Sequence, residues 1–238
     1  MCLYFNLFLK METQIKNFNL GLLAPTYSKD SKIVAFSGRR GSGKTVSALY
    51  IAKRLHETNI IQVIFYVSGT KLDQRYEKLI RQDCRFTPSN NNKSYSECLI
   101  SAINMIEKYN KKQPLHKILL ICDDPDMSEK NNERLYNLAQ DSRHLNLYLF
   151  MIVHGVVNLN PKIRKLLNFV FIHHIIGNIE ITNLSNNYAP INLTARQARD
   201  FFVRTIDEIC QNYQSLVINF DKNDNHGEYF YKFKPLIN

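Results

Sequence analysis

Gly38, Gly41, Gly43, Lys44 and Thr45 stand in the spacing G-x-x-x-x-G-K-T, inside the stretch KIVAFSGRRGSGKT. Residues of these types at this spacing can do one kind of chemistry well. The glycines let successive N–H groups converge on an anion, and a helix starting at the loop turns the positive end of its dipole toward the same point. Lys44 adds a positive charge, and the Thr45 hydroxyl is an oxygen ligand of the kind Mg²⁺ takes. The pattern predicts a cradle for a nucleoside triphosphate. Its contact set is Gly38, Arg39, Arg40, Gly41, Ser42, Gly43, Lys44, Thr45 and Val46, with Thr45 on the metal. The alternative is a glycine-rich turn that binds nothing. The flanks argue against it, because Ile33 to Phe36 read as a strand and Val46 to Leu55 as an amphipathic helix.

A second constellation is ILLICDDPDM. An apolar run ending in Asp123 and Asp124 predicts a buried strand that delivers two carboxylates to the carboxyl edge of a sheet, where open α/β folds bind ligands. Asp123 can then hold the metal together with Thr45, and Asp124 can orient or deprotonate a water. The competing reading of DDPD is a turn and helix cap; Asp126 is assigned to capping. The third is SRHLNLYLFMIVHG, which places Arg143 and His144 before a buried strand and His154 at its end. His154 is a candidate sensor of the terminal phosphate or holder of the water. Arg143 is a candidate finger reaching a neighbouring subunit's nucleotide, with Arg164 behind it. The bland readings are an edge histidine and a surface ion pair. Asp221, in DKND, resembles a guanine-reading motif, but its place between two strand-like runs predicts a hairpin turn.

The elements that must position these residues alternate. Strands are predicted at Lys32–Ser37, Gln62–Ser68, Lys117–Cys122, Leu147–Val153 and Phe169–Ile175. Helices are predicted near Gly43–Glu57, Leu72–Gln82, Tyr95–Tyr109, Glu129–Gln140, Pro161–Leu167 and Thr194–Tyr213. Asn183–Pro190 reads as a polar loop, and Leu216–Phe220 with Glu228–Lys232 as a hairpin. The alternation implies a mostly parallel sheet with helices on both faces. Residues 1–30 are set apart as an N-terminal extension, with Met11 as a second candidate start. Residues 31–238 form the main domain, with the hairpin at about 215–233.

With 238 residues and 45% hydrophobic content, the chain can bury a substantial core. The net charge of +10 favours a polyanionic partner. Five cysteines without a C-x-x-C pair argue against a disulfide scaffold or zinc site. No apolar stretch reaches the ~18 residues of a membrane span.

GRRGSGKT, ILLICDDPD, SRHLNLYLFMIVHG and NPKIRKLLNFVFI, in this order and spacing, resemble the FtsK/HerA superfamily of DNA-pumping ATPases. They are most similar to the compact genome-packaging ATPases of double-stranded DNA viruses, the poxvirus type included. The resemblance spans roughly Ile33 to Ile175. It implies an α/β, three-layer P-loop NTPase fold (RecA/FtsK-like), with a mostly parallel central sheet and an added C-terminal β-hairpin. It also implies hydrolysis of ATP with Mg²⁺ at the interfaces of a homo-oligomeric ring, a pentamer or hexamer, around double-stranded DNA. Lys44, Asp123, Asp124, Arg143 and His154 are then the catalytic set. Capsid or portal-vertex proteins are further implied partners, in the cytoplasm of an infected cell or the virion. Two residues depart from the family pattern: Asp124 where many members carry Glu, and His154 where Gln or Asn is usual. Lys71, Arg75, Lys93 and Lys130 are candidates for gripping DNA. The alternatives are a conjugation-type coupling ATPase, a small-molecule kinase, and a nucleotide-binding structural protein.

Overall fold

The apolar runs around the two acidic and glycine motifs are continuous rather than alternating, which suits strands buried on both faces. The computed structural model describes residues 15–27, 29–70, 74–88, 93–175, 177–189, 193–221 and 229–236. In chain order these form β1 (Lys16–Asn17), β2 (Ile33–Ser37), α1 (Lys44–Glu57), β3 (Val63–Ser68), β4 (Arg85–Phe86), α2 (Tyr95–Lys112), β5 (Ile118–Asp123) and α3 (Glu129–Gln140). There follow β6 (Leu147–Val153), α4 (Pro161–Arg164), β7 (Phe169–Ile172), α5 (Asn178–Tyr188), α6 (Ala195–Ile209), β8 (Ser215–Asn219) and β9 (Phe230–Phe233).

The described strands make one sheet in the order β1-β9-β8-β7-β2-β6-β5-β3-β4. From β7 through β4 every neighbouring pair is parallel. β8 is antiparallel to both β7 and β9, so the expected hairpin extends the sheet at one side. Its turn lies outside the described residues. β2 is central, with β6 on one flank and β7 on the other, and all its residues are buried. The chain leaves β2 toward β3 but returns over β2 from β6 to β7. That reversal opens a crevice at the carboxyl edge, where Ser37, Asp123 and Val153 end their strands.

Two expected elements differ. The stretch Leu72–Gln82 is not an α-helix in its described part. A 3-10 turn covers Gln74–Tyr76, and a second, Gln82–Cys84, leads into the edge strand β4. The Arg85 guanidinium donates to the carbonyls of Glu77 and Ile80, the first of which a helix over this stretch would have used internally. Conversely, Asn183–Pro190 is not a loop up to Tyr188, because α5 runs through it. The hydroxyls of Thr182 and Ser185 and the Asn187 amide each donate to a carbonyl four residues back. Leu184, Ser185 and Tyr188 supply the buried face. The helix starts at Tyr95 and Ala195 are marked by capping boxes, Ser94 with Glu97 and Thr194 with Gln197.

Within the region assigned to an extension, β1 pairs with β9, and Phe18 is buried among Phe169, Phe171, Tyr231 and Phe233 at centroid distances of 5.2–6.2 Å. Tyr148 Oη donates to the Leu23 carbonyl, and Lys32 bridges Asp30 and Asp221. Lys16, Asn17, Phe18, Leu23 and Asp30 are thereby tied to the sheet or its flanking residues, and Asp221 is a structural ion-pair partner. Phe18→Ala is expected to cost about 3–5 kcal/mol of unfolding free energy in denaturant titrations. A loss under about 1 kcal/mol, the surface range, would show that the segment does not melt with the sheet. The described helices include none long and apolar enough to cross a membrane.

Candidate nucleotide site

The glycine loop connects β2 to α1 at the carboxyl edge of the sheet. Gly43 is the N-cap of α1 with φ 94°, a left-handed conformation that side chains rarely adopt. Gly38 has φ 151°, and a Cβ there would lie 2.8 Å from His173 Cβ, so only glycine admits the neighbouring chain. The Arg39 N–H donates to the His174 carbonyl, docking the loop on the chain leaving β7. Arg39 and Arg40 are exposed and Val46 is half-buried.

Lys44 Nζ donates to the carbonyls of Gly38 and Arg39 at 2.8 and 2.9 Å. Burial lowers its pKa, while the charges of Asp123 and Asp124 act the other way. Thr45 Oγ1 donates to Asp123, 3.2 Å from Oδ2. The two motifs therefore meet, with a hydroxyl and a buried carboxylate side by side. That pair of hard oxygens fits Mg²⁺. Tyr66 Oη, on β3, donates to the same Asp123 oxygen at 2.8 Å and fixes its orientation. Burial raises the Asp123 pKa, against hydrogen bonds from Tyr66 and Thr45 that lower it.

Asp124 turns away. Its φ is 50°, and its N–H donates to the Ile152 carbonyl, which leaves the side chain in solvent. His154, at the end of β6, brings Nε2 to 3.5 Å from Asp124 Oδ1. The turn carrying His154 is tied to the loop strand, since the Val156 N–H donates to Ser37 Oγ at 2.9 Å. Asp126 accepts from the Ser128 N–H and from Asn131 at the start of α3, a capping role.

Lys44, Thr45, Asp123, Asp124 and His154 thus share one edge, and Arg143 does not. It is exposed in the 3-10 turn before β6, at the amino edge. The seven residues of β6 put about 23 Å between that edge and the loop. Arg164 donates to Asn187. Lys93 donates to Ser101 and Lys130 is exposed, while Lys71 and the Arg75 side chain lie outside the described residues.

Sequence reasoning missed Tyr66 and His173. A tyrosine in a wholly buried run needs a partner for its hydroxyl, which was the available signal for Tyr66. His173 is fully buried beneath the loop, with the Ser42 backbone as its polar neighbour. Burial, reinforced by the Lys44 charge, pushes its pKa down to about 3, so the imidazole is neutral. Its signal was a histidine doublet closing an apolar strand.

The model of the poxvirus A32 protein family matches residues 25–221, most of the chain and both motifs. The chain belongs to the poxvirus A32 protein family. Solved structures agree at the level of fold for this A32 family chain. The genome packaging NTPase B204 from Sulfolobus turreted icosahedral virus 2, in complex with ATP-gammaS, superposes with a TM-score of 0.58 at 15% identity. The match covers 87% of this chain and 98% of that one. B204, the DNA-packaging ATPase from Sulfolobus turreted icosahedral virus, gives 0.56 at 15% identity over the same shares. The cytoplasmic domain of EssC gives 0.50 at 16% identity, over 76% of this chain and 44% of that one. No curated protein sequence matches the chain. The expected resemblance to a poxvirus-type protein and the α/β P-loop NTPase fold are borne out.

Proposed function

We propose that this A32 family chain is an ATP hydrolase that drives double-stranded DNA into a viral capsid as a homo-oligomeric ring. The observation that carries the reading is the Thr45 hydroxyl lying on the buried Asp123 carboxylate, 3.2 Å from Oδ2. A fold that only cradled phosphate would have no reason to bury a carboxylate there. In this reading Gly38 to Val46 hold the triphosphate of ATP, and Lys44 exchanges its loop carbonyls for phosphate oxygens. Thr45 and Asp123 hold Mg²⁺, which neutralises charge on the phosphates. Asp124, exposed beside His154, orients or deprotonates the attacking water. Arg143 sits on the opposite edge and so serves a neighbour's nucleotide, through the head-to-tail contact a ring requires. The net charge of +10 suits a cargo gripped through its phosphates without sequence readout. Capsid or portal-vertex contacts, and action in the infected cell's cytoplasm, belong to the same reading.

The test is ATP turnover with and without double-stranded DNA at low salt, in wild type and Asp124→Asn. Turnover is expected to rise with DNA, and that rise to fade as salt increases. Asp124→Asn is expected to bind ATP normally and hydrolyse it at least about a hundredfold more slowly. Turnover indifferent to DNA across protein concentrations counts against the motor. Unchanged turnover in the variant removes Asp124 from the water.

A further inference from the structure

The turn between α6 and β8 has an unusual conformation for its sequence. Asn212 and Tyr213 have φ of 50° and 64°, and the Gln214 N–H donates to the Gln211 carbonyl to close the turn. Two successive left-handed residues are ordinary for Asn or Gly, but a tyrosine in that region is an outlier. Strain of this kind tends to persist where a side chain is held for a purpose. The turn is anchored beside the glycine loop, since Cys210 Sγ contacts the Ile172 carbonyl at 3.1 Å, one residue before His173. Tyr213 is half exposed, and its ring lies against Gly43, where an added Cβ would be 2.6 Å from Cδ1. The missing side chain at Gly43 therefore makes room for this ring.

Strand order then says which end of a nucleotide the ring would meet. The acid strand β5 and the His154 strand β6 lie on one flank of β2. The terminal phosphate belongs there, near Thr45 and Asp123. A nucleotide with its terminal phosphate there would direct its other end across the loop to the opposite flank of β2, where β7 and β8 lie. Tyr213, leading into β8, is on that flank.

We propose that Tyr213 is the stacking platform for the nucleobase, which deepens the ATP reading above and rests on it. A π-face recognises any base by its plane rather than by its edge. Tyr213 therefore sets affinity for a nucleoside over bare phosphate.

The test compares Mg²⁺–ATP with Mg²⁺–tripolyphosphate by calorimetry, on wild type, Tyr213→Phe and Tyr213→Ala. Tyr213→Ala is expected to weaken ATP by about tenfold, leaving tripolyphosphate unchanged, and Tyr213→Phe to stay within about twofold of wild type. Equal losses for both ligands would mean that the ring merely props the loop, and no loss for ATP would mean that the base lies elsewhere; either overturns the proposal. Wild type binding tripolyphosphate as tightly as ATP also overturns it, with the phosphate site left standing. Binding of neither ligand by wild type instead brings down the nucleotide reading, and this proposal with it.

Discussion

Asp123→Asn is expected to raise the melting temperature of the ligand-free protein at pH 7 while cutting ATP turnover at least about a hundredfold. The two effects have one cause. Asp123 is buried, and its Oδ2 accepts from both Tyr66 and Thr45. An asparagine can keep an oxygen at that position, and its amide nitrogen then takes the Oδ1 position, 3.4 Å from the Thr45 hydroxyl. Shape and hydrogen bonds survive, and the charge goes. Burial holds the Asp123 carboxyl above its ordinary pKa in the folded state. A carboxyl raised on folding binds more protons folded than unfolded. Its ionised form therefore costs stability at neutral pH, and the cost fades as pH falls through the folded pKa. The advantage of the variant should shrink accordingly, vanishing near the unfolded value of about 3.9. Mg²⁺ and ATP should reverse the order of stabilities, because only wild type gains the full binding term. Turnover should fall because Mg²⁺ held by Asp123, as proposed, would lose its charged ligand, and such metals supply several kcal/mol of charge stabilisation. Calorimetric melts from pH 4 to 8, with and without Mg²⁺ and ATP, check the stabilities, and a steady-state ATPase assay checks the turnover. A variant that melts lower than wild type at pH 7 in ligand-free buffer would show that the buried charge is instead stabilising.

The parts of this site legible in the sequence are those whose geometry is local. Lys44 and Thr45 follow their glycines directly, so strand, loop and helix can be read along the chain. The Asp123–Asp124 doublet is legible because a strand delivers its last residues to one known edge. Tyr66, His173 and Tyr213 are different. Each reaches the site from another strand or turn, and only the order of β3, β5, β2, β7 and β8 across the sheet brings them there. Arg143 teaches the converse. Its place before β6 was correct, and parallel strands turn "before" into the edge opposite the glycine loop, a separation that the spacing of motifs along the chain does not display. The mistaken elements also have local causes. Arg85 takes the Glu77 carbonyl that a helix at Leu72–Gln82 would need, and the hydroxyls and amides of α5 disguise a helix as a loop.

Lys44→Ala is expected to weaken ATP at least about a hundredfold, or roughly 3 kcal/mol, without unfolding the protein. The ammonium is nearly buried and, among the described residues, is hydrogen-bonded only to the loop's own carbonyls, Gly38 and Arg39. Those neutral acceptors compensate a buried charge incompletely, as its lowered pKa reflects. Phosphate oxygens would complete the compensation, and charged hydrogen bonds of this type are worth about 1.5–3 kcal/mol each. Arginine should not rescue the variant. Lysine presents a compact ammonium, whereas arginine carries a wide planar fork, and position 44 is buried. Removing the ammonium also deprives the loop of its tie between the start of α1 and Gly38, so the variant loop should exchange its amide hydrogens faster. The sheet beneath, built on Phe36, Phe150 and Phe171, should not change. Calorimetric binding with a melting curve on the same sample separates the two effects. Binding within about threefold of wild type, too small a change for a lost charged contact, would mean that Lys44 never meets a phosphate.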